Sequence, residues 1–218
     1  MSRTTVSKSS ESHRGSTPPA ARSERIVFLL SSPRAGSTLV SRVLDSHSKI
    51  ASPCGICLRY VVTGSWKFIK SLTTISKISN YFGARVPFPR LSLALPSVAR
   101  RHLNSLVDAI LQKDNKQTVV IKDPRHAAHV SKVESLFRGE PPRFVLLHRD
   151  ARAVSHSFMS TLGRKPERGF KAWLECTQGM LKCQERHGDR CLSLRFEDFV
   201  AQPEEAAAAA IEGIDLIK

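Results

Sequence analysis

The residue types best suited to chemistry fall in three short runs. The first is Pro33-Arg34-Ala35-Gly36-Ser37-Thr38-Leu39, a small-residue turn carrying a cation, a glycine and two hydroxyls. It follows the apolar stretch Ile26–Leu30, so a strand stops at the turn and a helix starts at once. Such a turn suits a phosphate held by free backbone N–H groups on a helix N-terminus. It is close to a Walker loop, G-x-x-x-x-G-K-[ST], but Ser31 stands at the first glycine and Ser37 at the lysine. The usual lysine contact to a β/γ-phosphate pair is lost, and Arg34 supplies a cation two residues before Gly36 instead. The change argues against ordinary ATP or GTP hydrolysis and for a terminal phosphate joined to a different leaving group. The second run is His148-Arg149-Asp150-Ala151-Arg152-Ala153-Val154-Ser155-His156-Ser157. A strand ends at Arg149 and a helix starts near Asp150, so Arg149 and Ser157 can both reach an anion near the strand end. Arginine supplies a rigid fork of donors matched to phosphate. The third run is Ile121-Lys122-Asp123-Pro124-Arg125, with Lys122 also just past an apolar stretch.

Something must bring these three strand ends together. Four apolar runs read as buried strands: Ile26–Leu30, Thr118–Ile121, Arg143–Leu147 and Cys191–Phe196, with a shorter one at Ile50–Ser52. Helical patterns lie between them, at Gly36–Ser46, Ser97–Gln112, His126–Phe137, Ala151–Leu162, Phe170–Arg186 and Glu204–Glu212. The alternation predicts an α/β fold, a parallel sheet covered by helices on both faces. In such sheets ligands bind beyond the carboxyl ends of the strands, which is where the three runs sit.

The chain of 218 residues suffices for one such domain. Its formal charge of +15 predicts anionic partners. No Asp or Glu occurs between Asp45 and Asp108, while Lys49, Arg59, Lys67, Lys70, Lys77, Arg85, Arg90, Arg100 and Arg101 do. Residues 1–24 read as a flexible Ser/Pro-rich basic tail and 25–218 as the domain. Residues 54–96 break the alternation and read as a basic insertion. Within it, Trp66, Phe68, Ile69, Leu72, Ile75 and Ile78 form one side of an amphipathic helix: a packed insertion, a lid or a membrane-surface contact. No apolar run is long enough to span a membrane, and a cytoplasmic location is expected. Five cysteines is an odd count and argues against a full disulfide framework. Cys54-Gly55-Ile56-Cys57, with or without Cys183, His187 and Cys191, reads as incidental thiols rather than a redox or zinc site. No metal is expected, and no RNA-binding motif is present.

The two longer motifs resemble the nucleotide-contacting motifs of sulfotransferases that use 3′-phosphoadenosine 5′-phosphosulfate (PAPS). The first resembles the 5′-phosphosulfate loop P-R-S-G-T-T-L, and the second the 3′-phosphate motif R-D-x-R-A-V-x-x-S. Two further segments match in order. Lys122-Asp123-Pro124-Arg125 resembles K-[TD]-P-R, and Arg195-Phe196-Glu197-Asp198-Phe199 through Pro203 resembles R-Y-E-D-L-x-x-x-P. The resemblance is to the broad bacterial and Golgi-type families and implies a P-loop-like fold with PAPS as cosubstrate. It implies that Arg34, Ala35, Gly36, Ser37 and Thr38 hold the 5′-phosphosulfate. It also implies that Arg149 and Ser157 hold the 3′-phosphate, and that Lys122 orients cofactor or acceptor. The acceptor would be a hydroxyl or amine of a glycan, lipid, protein or small molecule.

Two departures stand against the family pattern. The usual base, a Glu in H-P-x-I-x-x-P-x-E, is replaced by Gly55 in the segment from His47 to Gly55. His126 is the first substitute, since an imidazole titrates near neutral pH, followed by His47 and Asp123. The family's further C-terminal helices and closing basic loop have only Glu204–Lys218 in their place, and a fragment, a truncated gene product or a degenerate paralogue are the three readings of this. Two function classes follow: a sulfuryl transferase, or an inactive nucleotide- or polyanion-binding relative.

Overall fold

The computed structural model describes residues 25–53, 56, 76–85, 95–124, 126–137 and 141–216. Most of the basic insertion, including Cys54 and Cys57, and the tail 1–24 lie outside the described residues.

Five strands form one sheet, in the order β2-β3-β1-β4-β5 and parallel throughout. They are β1 (Ile26–Ser31), β2 (Ile50–Ala51), β3 (Thr118–Lys122), β4 (Arg143–His148) and β5 (Cys191–Arg195). Each expected strand is present, with ends shifted by a residue or so. The largest consequence is at Phe196, which leaves the strand to open a helix.

Period-two alternation sorts β1 between two cores. Phe28 and Leu30 pack with Val119, Ile121, Phe144 and Leu146 on one face. Val27 and Leu29 pack with Val120, Val145 and Leu147 on the other. Neither face meets water, which is why these strands read as unbroken apolar runs. Helix α1 (Ser37–Asp45) covers the second face, and α2 (Pro96–Asp114) covers the first. The span 126–137 is not one helix. A 3-10 turn at Ala127–His129 precedes the short helix α3 (Val130–Glu134), and a second turn follows at Ser135–Phe137.

Helices α4 (Ala151–Leu162) and α5 (Pro166–His187) form an antiparallel pair joined by a loop of three residues. Helix α5 starts four residues before the expected Phe170, because Pro166 is pre-shaped for the first turn. It lies tightly on the 127–129 turn: a Cβ on Gly179 would overlap the Ala127 carbonyl. Helices α6 (Phe196–Ala201) and α7 (Pro203–Leu216) follow β5. Among the described residues, no helix is long and apolar enough to cross a membrane.

Candidate functional site

Because all five strands are parallel, β1, β3 and β4 end on one rim of the sheet. The loop 32–36, Lys122 and Arg149 therefore meet there. The loop bends through two residues with positive φ, Arg34 at 68° and Gly36 at 90°. Left-handed backbone at a non-glycine residue is uncommon and clusters at functional turns. Gly36 has a second constraint, because a Cβ there would overlap the Phe196 ring. The bend delivers α1 with an open N-terminus, carrying no side-chain cap and no acid in its first turn. The helix's first N–H groups and positive dipole end are thus presented at the rim.

Three cations surround this end. Arg34 donates from Nε to Ser157 Oγ (3.1 Å) and from Nη2 to Thr161 Oγ1 (3.2 Å). Lys122 Nζ donates to Thr38 Oγ1 (3.0 Å). Arg149 Nη1 donates to the Arg34 carbonyl (2.8 Å), and its guanidinium lies over the Phe196 ring, 4.4 Å from the centroid. Among the described residues their partners are hydroxyls, one carbonyl and one ring. Among the described residues none of the three pairs with a carboxylate. Converged cations with spare donor capacity, beside an uncapped helix N-terminus, make a site for an anion with several oxygens.

The carboxylates nearby have other work. Asp150 caps α4, accepting from the backbone N–H of Arg152 (2.9 Å) and Ala153 (3.2 Å). The Arg152 guanidinium, and then the Ala153 N–H, hold the Asp150 carboxyl below its ordinary range. Glu197 Oε1 accepts from the Asp150 N–H (2.9 Å), tying α6 to the start of α4. Trp173 Nε1 donates to the Arg149 carbonyl (2.8 Å) and fixes the Arg149 backbone from α5. Asp150→Ala is expected to lower the melting temperature measured by circular dichroism, while Asp150→Asn, which still accepts from those N–H groups, retains most of it. The depressed carboxyl also gives the sign with pH. The cap's contribution is complete above the ordinary carboxylate pKa and is lost as pH falls through the lower folded-state value.

His148, the last residue of β4, is half-buried, and burial lowers its pKa from 6.5. The folded protein thus favours neutral imidazole, so stability falls as pH drops through the unfolded-state value near 6.5. Melting curves at pH 7.5 and 5.5 are expected to show a lower midpoint at the acidic pH, and His148→Gln to reduce that gap.

The structure gathers Arg34, Ala35, Gly36, Ser37, Thr38, Lys122, Arg149 and Ser157 at one rim. It does not bring His126 to them. That imidazole is fully buried and meets the Phe28 ring edge-on at 5.7 Å between centroids. Its neighbour Asp123 is also buried, with Oδ2 3.8 Å from His126 Nε2. His47 follows the C-terminal end of α1, where its Nδ1 accepts from Lys49 N–H (3.4 Å) and its carbonyl accepts from Lys116. That is the opposite end of the helix whose N-terminus faces the rim.

Sequence reasoning missed Thr161, Phe196, Glu197 and Trp173. Thr161 had a legible signal, since it lies one helical turn after Ser157 and so shares its face. Phe196 and Glu197 sit in a recognised segment, but their contacts cross from β5 to β1 and β4, which no local spacing encodes. Among the described residues no group of His, Cys, Asp and Glu is arranged to hold a metal.

The profile of the Sulfotransferase family matches residues 27–217. A Caenorhabditis briggsae protein described as "Putative protein-tyrosine sulfotransferase" is 24% identical over 205 residues, covering 88% of this chain and 66% of that protein. The chain thus spans just under two thirds of that relative's length. Among solved structures, a sulfotransferase domain from the curacin biosynthetic pathway superposes with a TM-score of 0.63 at 20% identity, over 88% of this chain and 74% of the other. The sulfotransferase domain of the Synechococcus PCC 7002 olefin synthase gives 0.64 at 21% identity, with the same coverage.

Proposed function

The chain belongs to the sulfotransferase family, and on that premise we propose that it transfers a sulfuryl group from PAPS to an acceptor hydroxyl or amine. The observation that carries this reading is the convergence of Arg34, Lys122 and Arg149 on an uncapped helix N-terminus, with no carboxylate partner among the described residues. PAPS is a polyanion with a phosphosulfate at one end of its ribose and a phosphate at the other. The donor set fits it: cations, hydroxyls and backbone N–H groups, with the neighbouring acids engaged elsewhere.

In this reading the loop 34–38 and Lys122 hold the 5′-phosphosulfate, and Arg149 with Ser157 holds the 3′-phosphate. When bound, PAPS supplies an activated sulfuryl group whose leaving group is a phosphate oxygen. Sulfuryl transfer, like phosphoryl transfer, is catalysed mainly by positioning and by stabilising charge on the leaving oxygen. Lys122 and Arg34 are the cations that would supply that stabilisation. Both would have to release the hydroxyls they now hold, Thr38 for Lys122, and Ser157 and Thr161 for Arg34. Those hydroxyls then become further donors toward the anion. His126 has no part in this proposal, because its imidazole is fully buried against Phe28.

The test has two arms. Calorimetry with adenosine 3′,5′-bisphosphate reads nucleotide binding, and transfer of label from [35S]PAPS to a panel of hydroxyl and amine acceptors reads turnover. Lys122→Ala is expected to weaken nucleotide binding by no more than about a hundredfold, the upper scale of one charge-assisted hydrogen bond, and to lose most of the transfer rate. Absence of nucleotide binding to folded protein would overturn the reading. Binding without turnover on any acceptor would favour the nucleotide-binding relative over the enzyme.

A further inference from the structure

Residues of α4, α5 and the loop between them, together with Pro33, line an open cleft of about 490 Å³. Its chemistry has two parts. Phe158 and Leu162 give it an apolar wall, the first buried and the second 47% exposed. Arg164, Arg168 and Lys171 also line it, and among the described residues Glu175 is the one lining carboxylate. The charge bias extends along both helices. Between Asp150 and Glu175 the chain carries Arg152, Arg164, Lys165, Arg168 and Lys171 against Glu167 alone.

Several arginines elsewhere in the fold are neutralised by carboxylates. Arg152 pairs with Asp150, Arg186 with Glu134, and Arg25 with Asp108. Among the described residues, Arg164, Arg168 and Lys171 have no ion-pair partner, and all three are exposed. Three unpaired cations lining one cleft repel one another and raise the local potential for an anion. The cleft's volume lies in the range of small-molecule sites. Its position matters as much as its charge. Pro33 lies in its wall, and the neighbouring Arg34 is one of the cations assigned to the phosphosulfate.

We infer that this cleft seats the acceptor, and that Arg164, Arg168 and Lys171 select a compact acceptor whose hydroxyl is carried on an apolar body flanked by carboxylates. The inference rests on the sulfuryl-transfer reading for its orientation toward the loop. The apolar body lies on Phe158 and Leu162, the carboxylates face the three cations, and the hydroxyl is left toward Pro33 and Arg34. A neutral acceptor of the same shape gains the apolar contact and forgoes the rest.

The probes are 5-hydroxyisophthalate and its dimethyl ester, which share a phenol ring and differ by two charges. Each is titrated by ligand-observed NMR against the full chain, with and without saturating adenosine 3′,5′-bisphosphate. The diacid is expected to bind at least about tenfold tighter than the diester, with the margin shrinking as salt is raised. In Arg168→Gln/Lys171→Gln, whose altered side chains are exposed, that preference is expected to collapse while nucleotide binding stays within about threefold. Equal binding of the two probes, or a preference unchanged in the double variant, overturns the inference. Because the titration is also run without nucleotide, failure of the bisphosphate to bind would sink the sulfuryl-transfer reading separately, leaving the charge preference of the cleft still measured.

Discussion

Arg149→Ala is expected to reduce binding of adenosine 3′,5′-bisphosphate by roughly tenfold to a hundredfold or more, since a charge-assisted hydrogen bond is worth about 1.5–3 kcal/mol. Three features make Arg149 the most sensitive point of the site. Its guanidinium lies on the Phe196 ring, its Nη1 holds the Arg34 carbonyl, and its own carbonyl is held by Trp173. The side chain is therefore oriented before any ligand arrives, and little further ordering is required on binding. Loss of the contact to the Arg34 carbonyl also frees the loop at its positive-φ residue, so the variant disturbs the loop proposed to hold the phosphosulfate as well. Arg149→Lys restores the charge but not the planar fork or the stacking, and is expected to recover only part of the affinity. Calorimetry on wild type and both variants, with circular dichroism to verify folding, decides the matter. Unchanged affinity in Arg149→Ala would remove this residue from the nucleotide site.

Gly36→Ala is expected to be strongly destabilising. Two faults combine. Alanine at φ near 90° is strained by about 1–3 kcal/mol, and the new methyl overlaps the Phe196 ring, at a further cost of about 1–3 kcal/mol. Against a total stability of about 5–15 kcal/mol, the sum predicts a fall in melting temperature on the order of 10 °C. A double-mutant cycle separates the two faults. Phe196→Ala makes room for the methyl, so Gly36→Ala costs less in that background, and what remains is the backbone strain. An identical cost in both backgrounds would show that ring and loop do not meet as described. The Phe196→Ala variant has its own readout, because it removes the platform under Arg149 and is expected to weaken nucleotide binding even where stability is little changed.

Much of the fold was legible in the sequence because its signals are local. Residues 26–30, 118–121 and 143–147 are apolar runs flanked by helical periodicity. A strand buried on both faces has no other way to look. The composition of the turn at 33–38 and the spacing from Arg149 to Ser157 were legible for a similar reason, since each is one strand end and the first turns of one helix. The length of α5 was underestimated because Lys165 and Glu167 around Pro166 carry no apolar periodicity. The break of residues 126–137 into turns, which lie against Gly179 on a helix far along the chain, carried no local signal.

The sequence alone determined which residues could hold an anion: an arginine, a glycine and two hydroxyls at one strand end, a lysine and an arginine at two others. Their shared rim follows from parallel pairing, and the alternation of strands and helices already implied it. Only the tertiary structure decided how they are used. It laid the Arg149 guanidinium on Phe196 and set the same ring against Gly36. It assigned Asp150 and Glu197 to capping and tethering, and withdrew His126 into the core beneath Phe28. The physical reason is that burial and orientation are properties of packing between distant segments. A histidine four residues past a site lysine looks available in one dimension, and the sheet and the helices around it turn it inward.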